Sequence, residues 1–514
     1  MRFPTATNVL PDLSLSRLLQ LPGKRAGVIR DRLATLAAAL ELQPSTPDDS
    51  QATLAVLEER LSDPHPDEVW LTIAVLSAAL PEAPDVVRAA RACRMEGPGP
   101  VLSRLVTEGW LRRQVTGAPL PAVEVLTGEV LVDLEHTSRT ELATGIQRVA
   151  RMTASRWARE HEVVLIGWHP GQHALRRLRV HEASRALTGS THDANTVSDA
   201  QPEAVVVPWR ATYLLPELAP ERDRTLRLLA FARFARCRTG VIGFDCVPIS
   251  SAETTDVNVS EAFAGNLAAV RHFGRVVGIS EAAAEEYRGW RHMLSAIGER
   301  GPEIEAISLP VEAHTPSARS LAEMRERVVV GSLPVVLSVG THEPRKNHLA
   351  VLHAAEVLWR RGVRFSLTFI GGHSWNSQRF DEGVARLRAA GRPIETLRSV
   401  TDDSLWAAYQ LSHCVVFPSL NEGFGLPVAE ALASGTPVVT SAFGSMAEIA
   451  ADGGAVLVDP RDDDSLIAGL SEILTDPARY DALRAAAATR PRRTWDDYAA
   501  ETWAYLVEEE VKRS

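Results

Sequence analysis

The stretch Phe417-Pro-Ser-Leu-Asn-Glu422-Gly423-Phe424-Gly425-Leu-Pro427-Val-Ala-Glu430-Ala-Leu-Ala-Ser-Gly435-Thr-Pro437-Val-Val decides the fold. An apolar run, Cys414 to Phe417, ends where a glycine-bearing loop begins. Pro427 then suits the first turn of a helix, where its missing N–H costs nothing. Strand, glycine loop and helix in this order form the unit of a doubly wound α/β sheet, which binds ligands at its strand carboxyl ends. Glu422 projects from the loop and Glu430 from the second helical turn, both at a crevice mouth. Free amides at the helix start favour an anion such as a diphosphate. A plainer reading stands beside this one: Glu430 complements the helix dipole, the glycines make a turn, and Glu422 is solvated.

The same texture occurs upstream in Val335-Val-Leu-Ser-Val-Gly340-Thr341-His342-Glu343-Pro344-Arg345-Lys346-Asn347-His348. Only three of the 55 basic residues are lysines, Lys24, Lys346 and Lys512, so Lys346 stands out. Arg345 offers paired donors to a diphosphate and Lys346 a compact charge. The alternative is a surface ion pair with Glu343, usually worth under about 1 kcal/mol. Two adjacent cations beside a helix start repel each other unless an anion is near, which favours the first reading.

Working outward, Phe365–Gly371, Ile394–Leu397, Pro437–Thr440 and Ala455–Val458 complete a second series of strands with helical patterns between them. An earlier series runs through Val130–Asp133, Val163–Gly167, Ala204–Val207, Val241–Phe244 and Val276–Ile279. Continuous apolar strands alternating with helices predict parallel sheets covered on both faces. Before them, Leu/Ala-rich segments with apolar spacings of three and four are punctuated by prolines, which predicts helices. The expected architecture is α/β: two doubly wound Rossmann-like domains facing a crevice, residues 126–320 and 321–514, after an all-α N-terminal extension over 1–125. This composition break suggests that the extension is independent of the sheets.

The chain has 514 residues and a net charge of −10, which argues against a general nucleic-acid binder. Its four cysteines, Cys93, Cys237, Cys246 and Cys414, form no CxxC pair, so neither a zinc site nor a disulfide framework is expected. Asp12 follows Met1-Arg2-Phe3-Pro4 before any apolar stretch develops, and the run Val69 to Leu80 is short of the roughly 20 residues a membrane span needs. The expectation is a chain without secretion signal or transmembrane span, in a reducing, cytoplasmic setting. His136, His169, His173, His342 and His373 form no tight metal-ligand pattern. Trp375, near the expected crevice, reads as a packing residue.

Residues 333 to about 507 resemble the donor-binding half of retaining glycosyltransferases of family 4 (group 1), which have the GT-B fold. Glu422-x7-Glu430 resembles that family's EX7E motif. Gly340-Thr341-His-Glu-Pro-Arg345-Lys346-Asn resembles the G-T-x-E-P-R-K-N loop of one subgroup, and Gly371-Gly-His-Ser-Trp375 and Thr401-Asp-Asp-Ser-Leu405 fall at the expected intervals. The resemblance implies that Arg345 and Lys346 neutralise the donor diphosphate, that Glu430 accepts hydrogen bonds from ribose hydroxyls, and that Glu422 does so from the transferred sugar. Backbone amides of Gly423, Phe424 and Gly425 would line the same pocket, with Gly340 and Thr341 in the phosphate loop. Arg398 departs from the pattern, standing where many relatives have glycine. A terminal helix crosses back to the first Rossmann-like domain in this fold.

Residues 129 to 310 are similar to the family more loosely. Val130–Asp133 followed by Thr144-Gly145-Ile-Gln-Arg148-Val resembles the subgroup's first strand and acceptor-side loop, although Thr144 could equally be a helix cap and Gly145 a packing glycine. Phe244-Asp245-Cys246-Val-Pro248 takes the place of a family His-Asp-x-x-Pro segment. No imidazole role carries over to Phe244. Asp245 either holds sugar hydroxyls or structures its loop. The resemblance implies a hexosyltransferase of polysaccharide biosynthesis using a nucleotide-sugar donor, GDP-mannose first, and a glycan or lipid-linked acceptor. No metal or other cofactor is expected, and peripheral contact with the inner membrane face is compatible with such an acceptor. Two rivals remain at this point: a catalytically silent GT-B protein that binds a sugar nucleotide or a partner, and a GT-B phosphorylase or epimerase.

Overall fold

A computed structural model describes residues 14–46, 49–116, 120–140, 145–189, 204–256, 258–372 and 377–508. Six helices, Leu15–Gln20, Lys24–Ala39, Ser50–Arg60, Pro66–Ser77, Ala83–Glu96 and Pro98–Thr116, come first. Nine strands follow: β1 Val123–Leu126, β2 Val130–Asp133, β3 Val163–Trp168, β4 Leu175–Arg177, β5 Val205–Pro208, β6 Thr212–Leu215, β7 Arg238–Gly243, β8 Arg275–Gly278 and β9 Glu303–Ala306. They form one sheet in the order β1-β5-β4-β3-β2-β6-β7-β8-β9. All neighbours are parallel except β4, which runs against β3 and β5. The second sheet is parallel throughout. Its strands β10 Val335–Val339, β11 Ser366–Ile370, β12 Ile394–Leu397, β13 Cys414–Phe417, β14 Val438–Ser441 and β15 Ala455–Val458 take the order β12-β11-β10-β13-β14-β15.

In the second sheet the strand order reverses between β10 and β13, and each of these two strands ends in one of the loops singled out from the sequence. Such a switch point opens a cleft at the carboxyl ends of the strands, since the connections leave to opposite faces. All five residues of β10 and all four of β13 are buried, as both sheet faces are covered by helices.

The helical segment is not independent of the sheets. Its Leu57, Trp70, Leu71 and Val75 belong to the same buried cluster as Val205, Val207, Tyr213 and Phe231 of the first sheet's unit. Helices Lys24–Ala39 and Pro66–Ser77 pack on β1, β5 and helix Arg222–Phe234, with the Trp70 and Phe231 rings 6.0 Å apart. Arg32, 4% exposed, donates to the carbonyls of Leu76 and Pro121 at 2.8 Å each, tying the helices to the entry of β1. β1 opens at Val123, and helix Ala318–Val328 spans residue 320 and packs on helix Asp402–Leu411.

The final helix, Trp495–Trp503, lies on helix Gly145–Glu160 of the first unit. Trp157 donates to the Ala499 carbonyl at 3.0 Å, Arg156 pairs with Asp496 at 2.5 Å, and Arg238 donates to the Val507 carbonyl at 2.9 Å. These contacts fasten the end of the chain to the first unit.

Candidate active site

The chain leaves β10 through Gly340, whose φ of +143° is costly for any residue with a Cβ. One tight turn, Pro344–Lys346, then presents Arg345 and Lys346, and Asn347 leads into helix His348–Arg360. The Asn347 amide donates to the Pro460 carbonyl at 2.7 Å, which pins the turn. Behind it, His342 and His348 are buried against Phe380, and burial together with His342 and Lys346 lowers the His348 ring to about 3, so that it is neutral. Thr341 is exposed.

Both cations meet Glu422. The Lys346 ammonium lies 2.5 Å from Glu422 Oε1, and an Arg345 guanidinium nitrogen 2.6 Å from Oε2. Ser419 donates to Oε1 at 2.7 Å, and Arg345 also reaches the Asn421 carbonyl and Glu343 Oε1, each at 2.7 Å. Burial pushes the Glu422 carboxyl up, but Lys346 and Arg345 outweigh it and hold the group down at about 2. Burial also opposes the Arg345 charge, which Glu422 and Glu343 more than restore. The ion pair with Glu343 that the sequence offered as the plain reading therefore exists, as one part of a larger cluster.

Glu430 projects from helix Leu426–Ala433, whose first turn carries Pro427 behind Gly425 at φ +102°. Its carboxylate accepts from Arg148 at 2.7 Å and from the Tyr409 hydroxyl at 2.9 Å. Burial pushes this carboxyl up, against the pull of Arg148 and Tyr409. The plain reading of Glu430 as a dipole partner fails on position: it sits in the second turn, buried, with two side-chain partners.

Asp245 faces the same loop from the first sheet's unit. Gly423 approaches so closely that a Cβ on it would lie 2.4 Å from the Phe244 carbonyl oxygen and 2.9 Å from Asp245 Oδ2. Ser280 donates to the Gly423 carbonyl at 2.6 Å. Burial pushes the Asp245 carboxyl up to about 6, Glu286 and Glu422 add to that push, and Arg345 opposes it. Asp245 also caps its own loop through the Val247 amide at 3.2 Å. Phe244 is buried in the core cluster, as is Phe424.

The structure thus brings Glu422, Arg345, Lys346, Gly423 and Asp245 to one place, and joins Arg148 to Glu430. Gly145 sits opposite Leu426 across the cleft, where a Cβ would come to 3.6 Å. Thr144, His373 and Trp375 lie outside the described residues. Arg398 reaches toward Asp381 at 3.6 Å. Sequence reasoning missed Tyr409, Ser419 and Glu286. Glu286 accepts from the Cys246 amide at 2.7 Å and from Asn421 at 3.2 Å, bridging the two loops. None of these three carries a local signal, because each acts through a partner distant in the chain or through a common turn residue. What the cluster can do chemically is clear from its parts: two cations can exchange a carboxylate for a polyanion, and buried carboxylates can accept hydroxyl hydrogen bonds.

Two facing sheets with ligand-type residues at both sets of strand carboxyl ends define the GT-B class, and solved structures share this fold. Anabaena Alr3699/HepE in complex with UDP superposes with a TM-score of 0.52 at 15% identity, covering 74% of this chain and 100% of that one. The Candida albicans trehalose-6-phosphate phosphatase N-terminal domain gives 0.53 at 10% identity, over 76% and 98%. Within that class, residues 322–490 match the family described as Glycosyl transferases group 1. The serotype-specific mannosyltransferase WbdA of Escherichia coli is 26% identical over 340 residues, covering 63% of this chain and 40% of the relative. The Escherichia coli O-antigen chain mannosyltransferase B is 33% identical over 168 residues, covering 32% and 44%. This chain spans about two-fifths of the length of the first of these relatives.

Proposed function

We propose that this chain is a retaining family 4 hexosyltransferase that moves a sugar from a nucleoside-diphosphate donor to a hydroxyl of a glycan or lipid-linked acceptor. The observation that carries the reading is the pairing of Lys346 and Arg345, both largely buried, with Glu422 at the carboxyl ends of β10 and β13. Two cations held this close by one carboxylate are poised for a ligand with more negative charge than that carboxylate. Similarity to proteins described as mannosyltransferases supports GDP-mannose as the first donor to test, ahead of dTDP- and UDP-sugars.

In this reading Arg345 and Lys346 bind the diphosphate and stabilise the charge that grows on it as the glycosidic bond breaks. Gly340 and Thr341 shape the loop around it, and the backbone at Gly423, Phe424 and Gly425 lines the pocket. Glu430 accepts from the ribose, Glu422 from hydroxyls of the transferred sugar, and Asp245 from sugar or acceptor hydroxyls. The acceptor oxygen attacks the anomeric carbon on the face that the diphosphate leaves, the carbon–oxygen bond to the phosphate breaks, and the acceptor proton passes to the departing phosphate oxygen. In this scheme the positive charge comes from Arg345 and Lys346, and no metal is invoked. No helix among the described residues is long and apolar enough to cross a membrane. In this reading a lipid-linked acceptor is met by peripheral contact at the inner membrane face.

A thermal-shift panel of nucleotide sugars tests the donor, since a ligand of the folded state stabilises by RT ln(1 + [L]/Kd). Proton NMR of the product then reads the anomeric configuration. An inverted product, or no stabilisation by any nucleotide sugar, overturns the reading.

A further inference from the structure

Arg148 belongs, by its motif, to the acceptor-side loop, yet its guanidinium contacts Glu430, 282 residues away on the opposite side of the cleft. We propose that Arg148 is a positioning residue of the donor site, holding the Glu430 carboxylate so that nucleotide binding draws on both domains. The inference rests on the reading of Glu430 as the ribose partner.

Three features of the geometry carry it. The Glu430 side chain is 5% exposed, and Arg148 Nη1 on Oε1 and the Tyr409 hydroxyl on Oε2 set the plane of the carboxylate. A carboxylate has about four lone-pair positions, so these two bonds leave acceptors for a pair of vicinal hydroxyls. The ligand therefore adds to Arg148 rather than replacing it. Second, Tyr409 comes from the same domain as Glu430, and Arg148 is the cross-domain member of the pair. Third, the helix that carries Arg148 is clamped to the end of the chain by Trp157 on the Ala499 carbonyl and Arg156 on Asp496. Arg148 thus starts from a base that these contacts hold in place. Burial favours the neutral form of Glu430, which would turn one of its two oxygens from acceptor to donor, and Arg148 opposes that change.

The test is calorimetry on the full chain with GDP and 2′-deoxy-GDP, and with the UDP and ADP pairs if the panel selects another base. The variants are Arg148→Met and Arg148→Lys. Wild type is expected to favour the ribonucleotide by about tenfold, the scale of one hydrogen bond to a charged group. Arg148→Met should lose that preference and about tenfold in ribonucleotide affinity, while 2′-deoxy affinity changes by less than about threefold. Arg148→Lys, which keeps the charge and the helix, should recover part of the preference. If wild type shows no preference, or binds no nucleotide, the ribose role of Glu430 fails and this inference with it. If wild type prefers the ribonucleotide and both variants do so equally, the role of Glu430 stands and that of Arg148 is overturned. Tighter ribonucleotide binding by Arg148→Met would show competition for Glu430 and overturn it as well. Should Arg148→Met not fold, Arg148→Lys decides between these outcomes.

Discussion

Glu422 Oε1 lies 2.5 Å from the Lys346 ammonium, across 76 residues of chain and between two loops that leave neighbouring parallel strands. The Lys346 side chain runs past Gly340, its methylenes 3.5 Å from where a Cβ would stand, and ends 5.0 Å from the centre of the Phe417 ring. The ammonium is therefore aimed by a glycine on one side and an aromatic face on the other.

Lys346→Ala is expected to lower turnover by about 10² or more, the scale of losing one donor to transition-state charge. Lys346→Arg should restore only part of it, since the channel between Gly340 and Phe417 suits a slender stem and a compact charge. Steady-state release of nucleoside diphosphate in the presence of acceptor checks both.

Glu422→Gln should bind free nucleoside diphosphate at least as tightly as wild type, because the carboxylate now competing for Lys346 and Arg345 is gone. Turnover should fall, whereas Glu430→Gln should weaken nucleotide binding itself. Calorimetry on the two variants separates them, and an equal loss in both would overturn the assignment. The pH dependence has a definite sign. The folded-state carboxyl of Glu422 sits at about 2, below its ordinary 4.5, so its contribution to stability is present above pH 4.5 and is lost as pH falls toward 2. Acid unfolding of wild type should accordingly be steeper than that of Glu422→Gln, with a difference on the order of 3 kcal/mol across that window.

Asp245 has the opposite sign. Its carboxyl is raised from 3.8 to about 6, so between those values the folded state holds a proton that the unfolded chain releases, and ionisation at neutral pH costs stability. Asp245→Asn is expected to raise the urea midpoint at pH 7.5 by an amount worth up to about 2 kcal/mol, discounted for the water that reaches this side chain. The gain should vanish near pH 4, while transferase activity falls. Stabilisation that persists unchanged at pH 4 would point to packing instead.

A chain beginning at Ala122 is expected to lose the fold of the first sheet. Without Trp70 and its neighbours, Phe231, Val205 and Val207 face water, and the buried Arg32 contact to Pro121 is absent. Size-exclusion chromatography and circular dichroism of the truncated chain check this. A monodisperse, fully folded product would restore the picture of an independent extension.

What the sequence determined by itself was local. The six strands of the second sheet are legible because strands buried on both faces read as continuous apolar runs, and the turns after β10 and β13 because glycine and proline mark them. Arg345, Lys346 and Glu422 stand out because each lies at a strand-to-helix turn, and Glu430 because seven residues separate it from Glu422 on the helix that follows. Strands β1, β4 and β9 escaped because charged residues interrupt their apolar runs, Glu124 in the first, Arg176 and Arg177 in the second, Glu303 and Glu305 in the third, whereas β6, Thr212–Leu215, escaped although it is buried throughout. Only the tertiary structure decided that Glu422 sits between both cations, that Tyr409 and Arg148 converge on Glu430, and that the N-terminal helices share a core with the first sheet. Those facts depend on strand order and on how two sheets close over one cleft. Side chains 76 or 282 residues apart meet there because the backbone topology carries them to the same point, and no spacing along the chain records that meeting.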